Sequence, residues 1–236
     1  MWDEAARALA AEFGEVDGST GGRKKPPALS ELFTLAVYFH RGGDAYRTIR
    51  IGERHFAGLV PADFRLDLLS SEVAHLLYPV AYRDELVSEG GKAGLDPRFV
   101  LAIARQESRF RADAKSSAGA RGLLQFVPET ANRMAIELKI AEFSIDALYQ
   151  PALNIRLGVA HLRELLDRFQ GSLAAASAAY NSGEENVDRW RARSSATDED
   201  RFLAEIAFRE TKDYVRKVLS NYWAYQQIVD ERLNPF

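Results

Sequence analysis

The stretch DPRFVLAIARQES, Asp96 to Ser108, decides how the second half of the chain reads. Asp96 has the side chain of an N-cap, and Pro97 suits the first helical position, where a missing N–H is no loss. From there Val100, Ile103, Ala104 and Glu107 fall on one helical face. Glu107 is the one charged member of that face. A carboxyl held against an apolar surface is desolvated, so its neutral form is favoured and its pKa rises. A general acid working near neutral pH needs this property. The same spacing also fits a glutamate at a helix C-terminus that turns to solvent, because charges are seldom buried.

Downstream lies KSSAGARGLLQFV, Lys115 to Val127. Gly119 and Gly122 permit unusual dihedrals and close backbone approach among small residues. Gln125 is a polar group among apolar neighbours, either lining a cleft or satisfied within an ordinary loop. Pro128 opens a helix through Met134 and Leu138. Pro151 opens another, with Ile155, Val159, Leu162, Leu166 and Phe169 on one face and Gly171 as its stop. Ser172 caps an alanine-rich helix that ends at Tyr180. Asn181 then either caps that helix or presents its amide, beside the Tyr180 hydroxyl, to a polar ligand. Thr197 precedes a helix with Phe202 and Ile206. The last helix, about Glu210 to Glu231, carries Tyr214, Val218, Tyr225 and Val229, and Glu210 suits its positive N-terminal end. Tyr149, Trp190 and Trp223 are either core or platforms for a sugar ring.

Upstream the pattern is again helical. Trp2, Ala6, Leu9 and Phe13 form a stripe, and the breaker GEVDGSTGGRKKPP (14–27) comes next. Leu32, Leu35, Ala36 and Phe39 form a second stripe. Asp44 is an N-cap for the helix with Ile49 and Phe56. Too few helices stand here for a self-sufficient helical array, which needs three or more repeats. They are the tail of such an array or a cap docked on the region that begins near Ser70. Strand signals allow at most a small sheet.

Composition narrows the chemistry. The 236 residues are 47% apolar and 28% charged, ordinary for a folded chain. Lys plus Arg is 31 against 34 Asp plus Glu, so the charge of -3 makes no general case for nucleic acid or an anionic membrane. The absence of cysteine removes disulfides, thiolate metal sites and Cys nucleophiles. His40, His55, His75 and His161 lack metal-ligand spacing. Phosphate-loop, dinucleotide, calcium-loop and nucleophile-elbow motifs are missing. Uncharged, mostly apolar stretches such as Leu32 to Phe39 are core-sized and fall far short of the roughly 18 residues of a membrane helix. The first residues lack the basic start and apolar centre of a signal peptide, as expected of a cytoplasmic chain, a processed one or a fragment.

Four phrases stand in order: AIARQES (Ala102 to Ser108), KSSAGARGLLQFVPETA (Lys115 to Ala131), AAYNSG (Ala178 to Gly183) and IAFRETKDYVRKVL (Ile206 to Leu219). With YPVAYRDEL (Tyr78 to Leu86) just before them, residues 75 to 233 resemble the soluble lytic murein transglycosylases. The resemblance implies a mostly α, lysozyme-like catalytic domain of goose type over 75–236. Residues 1–74 would be a short helical remnant of an α-superhelical domain. It also implies the roles. Glu107 matches the single catalytic acid, with Ser108 structural. Ser116, Gln125, Tyr180, Asn181 and Glu210 match positions around the bound glycan, with Tyr180 orienting the acid or the substrate N-acetyl group. Leu124 and Val127 stand where methionines are usual, apolar swaps that keep the wall's shape.

The activity implied is cleavage of the β-1,4 bond between N-acetylmuramic acid and N-acetylglucosamine in peptidoglycan, leaving 1,6-anhydromuramic ends. No metal or other cofactor is implied. The partner is the glycan strand, and the place is the periplasm or cell envelope. A hydrolytic muramidase of the same fold and a non-catalytic peptidoglycan-binding module are the alternatives.

Overall fold

The computed structural model describes residues 2, 4, 5, 8, 27–60, 65–193 and 199–236. Ala6, Leu9 and Phe13 of the first stripe, the breaker at 14–26 and Thr197 lie outside them. The described chain is helical, with isolated β bridges that include Lys115–Arg121 and Arg121–Phe126. It divides into two compact units, 1–81 with 235–236, and 82–234.

The smaller unit holds α1 (Leu29–Arg41), α2 (Ala45–His55) and α3 (Ser71–Leu77). Leu32, Leu35, Ala36 and Phe39 of α1 are buried, as the stripe requires. Asp44 caps α2 by accepting from the Arg47 backbone N–H at 2.9 Å. Gly52 lets α2 approach α3, since a Cβ there would lie 2.9 Å from the Leu76 carbonyl oxygen. α3 packs on both α1 and α2, and the smaller unit runs on to Ala81.

The larger unit begins with α4 (Arg83–Ala93) and α5 (Pro97–Ser108). After a loop come α6 (Pro128–Glu137), α7 (Pro151–Arg168), α8 (Leu173–Ser182), α9 (Glu184–Arg193), α10 (Glu199–Glu205) and α11 (Arg209–Ile228). The three expected proline starts, at Pro97, Pro128 and Pro151, all open helices. Ser172 caps α8, accepting from the Ala175 N–H at 3.0 Å. α7 ends at Arg168, and Gly171, at φ 82°, turns the chain while its N–H donates to Leu166.

The core is built around α5 and α11. Phe99 to Ile103 are fully buried, and α11 lies along α5 with Tyr214, Val215, Val218 and Tyr225 inward. α8 also packs on α11, its alanines 174 to 176, 178 and 179 all buried. Small side chains allow that close approach and leave Tyr180 at the end of the helix with room to reach the 109–127 loop. One sequence reading changes here. Asn181 is not the cap of α8: it lies within the last turn, and Gly183, at φ 84°, stops the helix.

Candidate active site

Glu107 lies in the last turn of α5, which Arg109 ends in the left-handed region at φ 51°. Its Oε1 accepts a hydrogen bond from the Tyr214 hydroxyl at 2.5 Å. Burial pushes the Glu107 carboxyl up from 4.5 to about 7, with the Tyr214 bond pulling the other way. The carboxyl at the end of this helix is therefore turned inward and not to solvent.

The register that brings these two groups together is set at the other end of the helix pair. Tyr222 donates to Asp96 Oδ2 at 2.9 Å and meets Phe99 edge-on, at 5.8 Å between ring centroids. The start of α5 is thus pinned to the later part of α11, and the end of α5 comes opposite Tyr214.

Tyr180 approaches from α8. Burial, and then the Glu107 charge, push its phenol well above the ordinary value, as they do for Tyr214. Its hydroxyl donates to the Leu124 carbonyl at 2.7 Å, not to Glu107. The two tyrosines therefore play opposite parts. Tyr214 donates to Glu107 Oε1, which leaves Oε2 as the oxygen that carries the acid's own proton. Tyr180 has committed its only hydrogen to Leu124 and offers the site lone pairs alone.

The loop between α5 and α6 forms the adjoining wall. Gln125 sits at φ 48°, and its Nε2 donates to the Gly122 carbonyl at 2.8 Å and the Ala114 carbonyl at 3.2 Å. Those bonds leave Oε1 as its remaining polar atom. Ser116 Oγ accepts from the Ala120 N–H at 3.1 Å, bracing the turn at Gly119. Ser108 Oγ donates to the Leu123 carbonyl at 2.8 Å and ties α5 to this loop. Leu124 is fully buried, so it gives the site its backbone and not its side chain.

Two glycines and one asparagine seat this loop on α7. A Cβ at Gly158 would lie 2.1 Å from Leu124 Cδ1, so the leucine rests on the bare helix backbone. A Cβ at Gly122, φ 81°, would strike the Leu148 carbonyl at 2.2 Å. Asn154 is fully buried and uses both ends of its amide. Its Oδ1 accepts from the Leu124 N–H at 2.9 Å, and its Nδ2 donates to Leu148 at 2.9 Å and Arg121 at 3.2 Å.

The remaining sequence candidates lie around this centre. Asn181 is exposed, and its Oδ1 accepts from Thr211 Oγ1 at 2.8 Å, which orients its amide group. Glu210 is exposed in the first turn of α11. Trp190 is core, edge-on to Phe208, whereas Trp223 is 56% exposed and Tyr149 lies under the Arg121 guanidinium. The structure thus joins Glu107 to Tyr214 by a hydrogen bond, sets Tyr180 within reach of the Glu107 charge, and ties Tyr180 to the Gln125 loop through Leu124.

Sequence reasoning missed Tyr214 and Asn154. Tyr214 reads as one apolar member of the α11 stripe, although it belongs to the ETKDYV phrase. Asn154 is a lone amide in the apolar run PALNIRLGVAHL, and that was its only signal.

The buried, tyrosine-bonded acid, the glycine-containing loop beside it and the Tyr-Asn helix end lie in a stretch that matches a recognised family. The transglycosylase SLT domain matches residues 87–203. This chain carries an SLT domain. Glu107, Ser116, Gln125, Tyr180 and Asn181 lie inside the matched span, and Glu210 and Tyr214 come after it. The soluble lytic murein transglycosylase of Escherichia coli is 35% identical over 150 residues, 63% of this chain and 23% of its own length. The crystal structure of the 70-kDa soluble lytic transglycosylase from Escherichia coli superposes with a TM-score of 0.76 at 26% identity, covering 95% of this chain and 33% of that one. An inactive mutant of the lytic transglycosylase Slt from Pseudomonas aeruginosa gives 0.70 at 30% identity, over 96% and 32%. The chain therefore spans about a quarter of the curated relative and about a third of the solved structures. The fold is mostly α with a lysozyme-like SLT domain.

Proposed function

We propose that this chain is a lytic transglycosylase. It cleaves the β-1,4 bond between N-acetylmuramic acid and N-acetylglucosamine in peptidoglycan and leaves 1,6-anhydromuramic ends. The observation that carries this reading is Glu107, bonded to Tyr214 and with its pKa raised to about 7 by burial and not by a carboxylate neighbour among the described residues. Two-carboxylate glycosidases place their second acid about 5–9 Å away, where its charge would act strongly on the first. A lone acid suits chemistry in which the substrate assists.

Protonated Glu107 donates from Oε2 to the glycosidic oxygen, and the bond to C1 of the muramic residue breaks. The neighbouring acetamido oxygen stabilises C1 as an oxazolinium-like species. Glu107, now a carboxylate, takes the proton from the C6 hydroxyl of the same sugar. O6 closes on C1, the acid regains its proton, and no water is consumed. Tyr214 donates to Oε1 throughout, a bond that strengthens while the carboxylate is charged. Tyr180 offers an acceptor to an acetamido N–H, and Asn181 an oriented amide to a carbonyl. Ser116, Gln125 and Glu210 contact the flanking sugars.

Such a substrate places the protein in the periplasm or cell envelope. Among the described residues no helix is long and apolar enough to cross a membrane. Mass spectrometry of products from purified sacculi tests the reading. Anhydromuropeptides from wild type and none from Glu107→Gln are expected. Reducing ends would mean a muramidase, and binding without cleavage by wild type would mean a binding module.

A further inference from the structure

We infer that His161 is a positioning residue for Tyr180, and through it for the Leu124–Gln125 wall of the site. The consequence for substrate rests on the function proposed above; the placement of Tyr180 does not.

Three rings meet behind the wall. His161 stands in the middle of α7, 7% exposed, one turn after the buried Leu157 and Gly158. Its ring centroid lies 5.5 Å from that of Tyr180 and 6.1 Å from that of Phe126. Phe126 in turn meets Tyr180 nearly edge-on at 6.3 Å. Tyr180 is thus held between a ring from the loop and a ring from α7, with its hydroxyl on Leu124. A single hydrogen bond at the tip of a phenol leaves the ring free to swing about it. The two flanking rings remove that freedom.

The imidazole is itself held by its polar edge. Nδ1 lies 3.3 Å from Arg133 Nη2 and 3.4 Å from Glu164 Oε2. Arg133 Nη1 donates to both Glu164 oxygens, at 2.8 and 2.9 Å, and to Glu137 at 2.9 Å. The ion pair between α6 and α7 therefore grips one edge of the ring, while Glu184 acts on it from α9. Burial lowers the His161 pKa, so the ring is neutral where it packs on Tyr180. An aliphatic residue would fill the same space without a fixed plane. The histidine carries the orientation of a surface ion pair inward to the one tyrosine that offers the site an acceptor.

The test separates ring packing from simple stability. Kinetics on soluble uncrosslinked glycan strands are measured for wild type, His161→Asn and His161→Phe. The asparagine keeps a polar group near Arg133 but removes the ring. It is expected to raise KM about 5-fold, the worth of one mispositioned hydrogen bond, with a smaller change in kcat. Its alkaline limb stays where Glu107 sets it. His161→Phe restores the ring and brings KM back to within about twofold of wild type. A wild-type KM for His161→Asn, with a lowered Tm alone, overturns the inference. Should His161→Asn fail to fold, the half-exposed Glu164→Gln loosens the same grip and is expected to raise KM about twofold; an unchanged KM overturns it. Should wild type cleave nothing, the functional proposal fails and the crystal structure of His161→Asn still decides. Loss of the Tyr180–Leu124 bond supports the inference, and its retention overturns it.

Discussion

The hydroxyl of Tyr214, on the last long helix, donates to Oε1 of Glu107, 107 residues earlier in the chain, at 2.5 Å. This bond acts on the acid in two ways. It fixes which carboxyl oxygen faces the reaction, and it opposes the rise in pKa that burial imposes. Both effects can be read out.

Glu107→Gln removes the proton donor and keeps the shape. Release of anhydro products should fall at least about 100-fold, the usual weight of a general acid. Binding of the variant to sacculi should persist. Cleavage by the variant within a few-fold of wild type would remove Glu107 from the mechanism.

Wild-type kcat/KM should fall as pH rises through about 7, because the free enzyme must hold the Glu107 proton. Tyr214→Phe deletes a bond that lowers this pKa, so the falling limb should move to higher pH. The rate should also drop about 10-fold, the order of one hydrogen bond to a charged group. A pH profile of the two proteins measures both. A limb that stays put or moves down would contradict the geometry.

The same acid makes stability depend on pH. Below pH 4.5 the Glu107 carboxyl is protonated in both states. Between 4.5 and about 7 the folded protein keeps a proton that the unfolded chain has released, so stability falls as pH rises through that window. Glu107→Gln lacks this term and should gain in Tm on wild type between pH 5 and pH 8. Thermal melts at the two values compare them directly.

Gly122→Ala introduces a Cβ 2.2 Å from the Leu148 carbonyl at a positive φ. It should cost about 2 kcal/mol or more, read by denaturant unfolding. Gly119→Ala, with open space around it and φ 82°, should lose only about 1 kcal/mol from the dihedral.

Asn154→Ala leaves the Leu124 N–H without its buried partner. A loss of about 2–3 kcal/mol is expected, along with lower turnover, because Leu124 also anchors Tyr180. Unfolding and product release on the same sample should show both effects.

Most of the helices could be read from the chain because their determinants are local. Asp96-Pro97, Pro128, Pro151 and Ser172 start helices through groups within one turn, and the stripes of α1, α5 and α7 arise from helical period alone. Glu107 stood out for the same reason, as one carboxyl on an apolar face. The ordered phrases around Ser116, Gln125, Tyr180, Asn181 and Glu210 carried the family resemblance. Tertiary structure decided the rest, because hydrogen bonds between distant residues leave no periodic trace. Whether Glu107 turned inward, and which tyrosine it met, depended on α11 crossing α5 in the register that Tyr222 and Asp96 set. That Tyr180 offers an acceptor and not a donor depended on Leu124, placed by Asn154 and the bare backbone of Gly158.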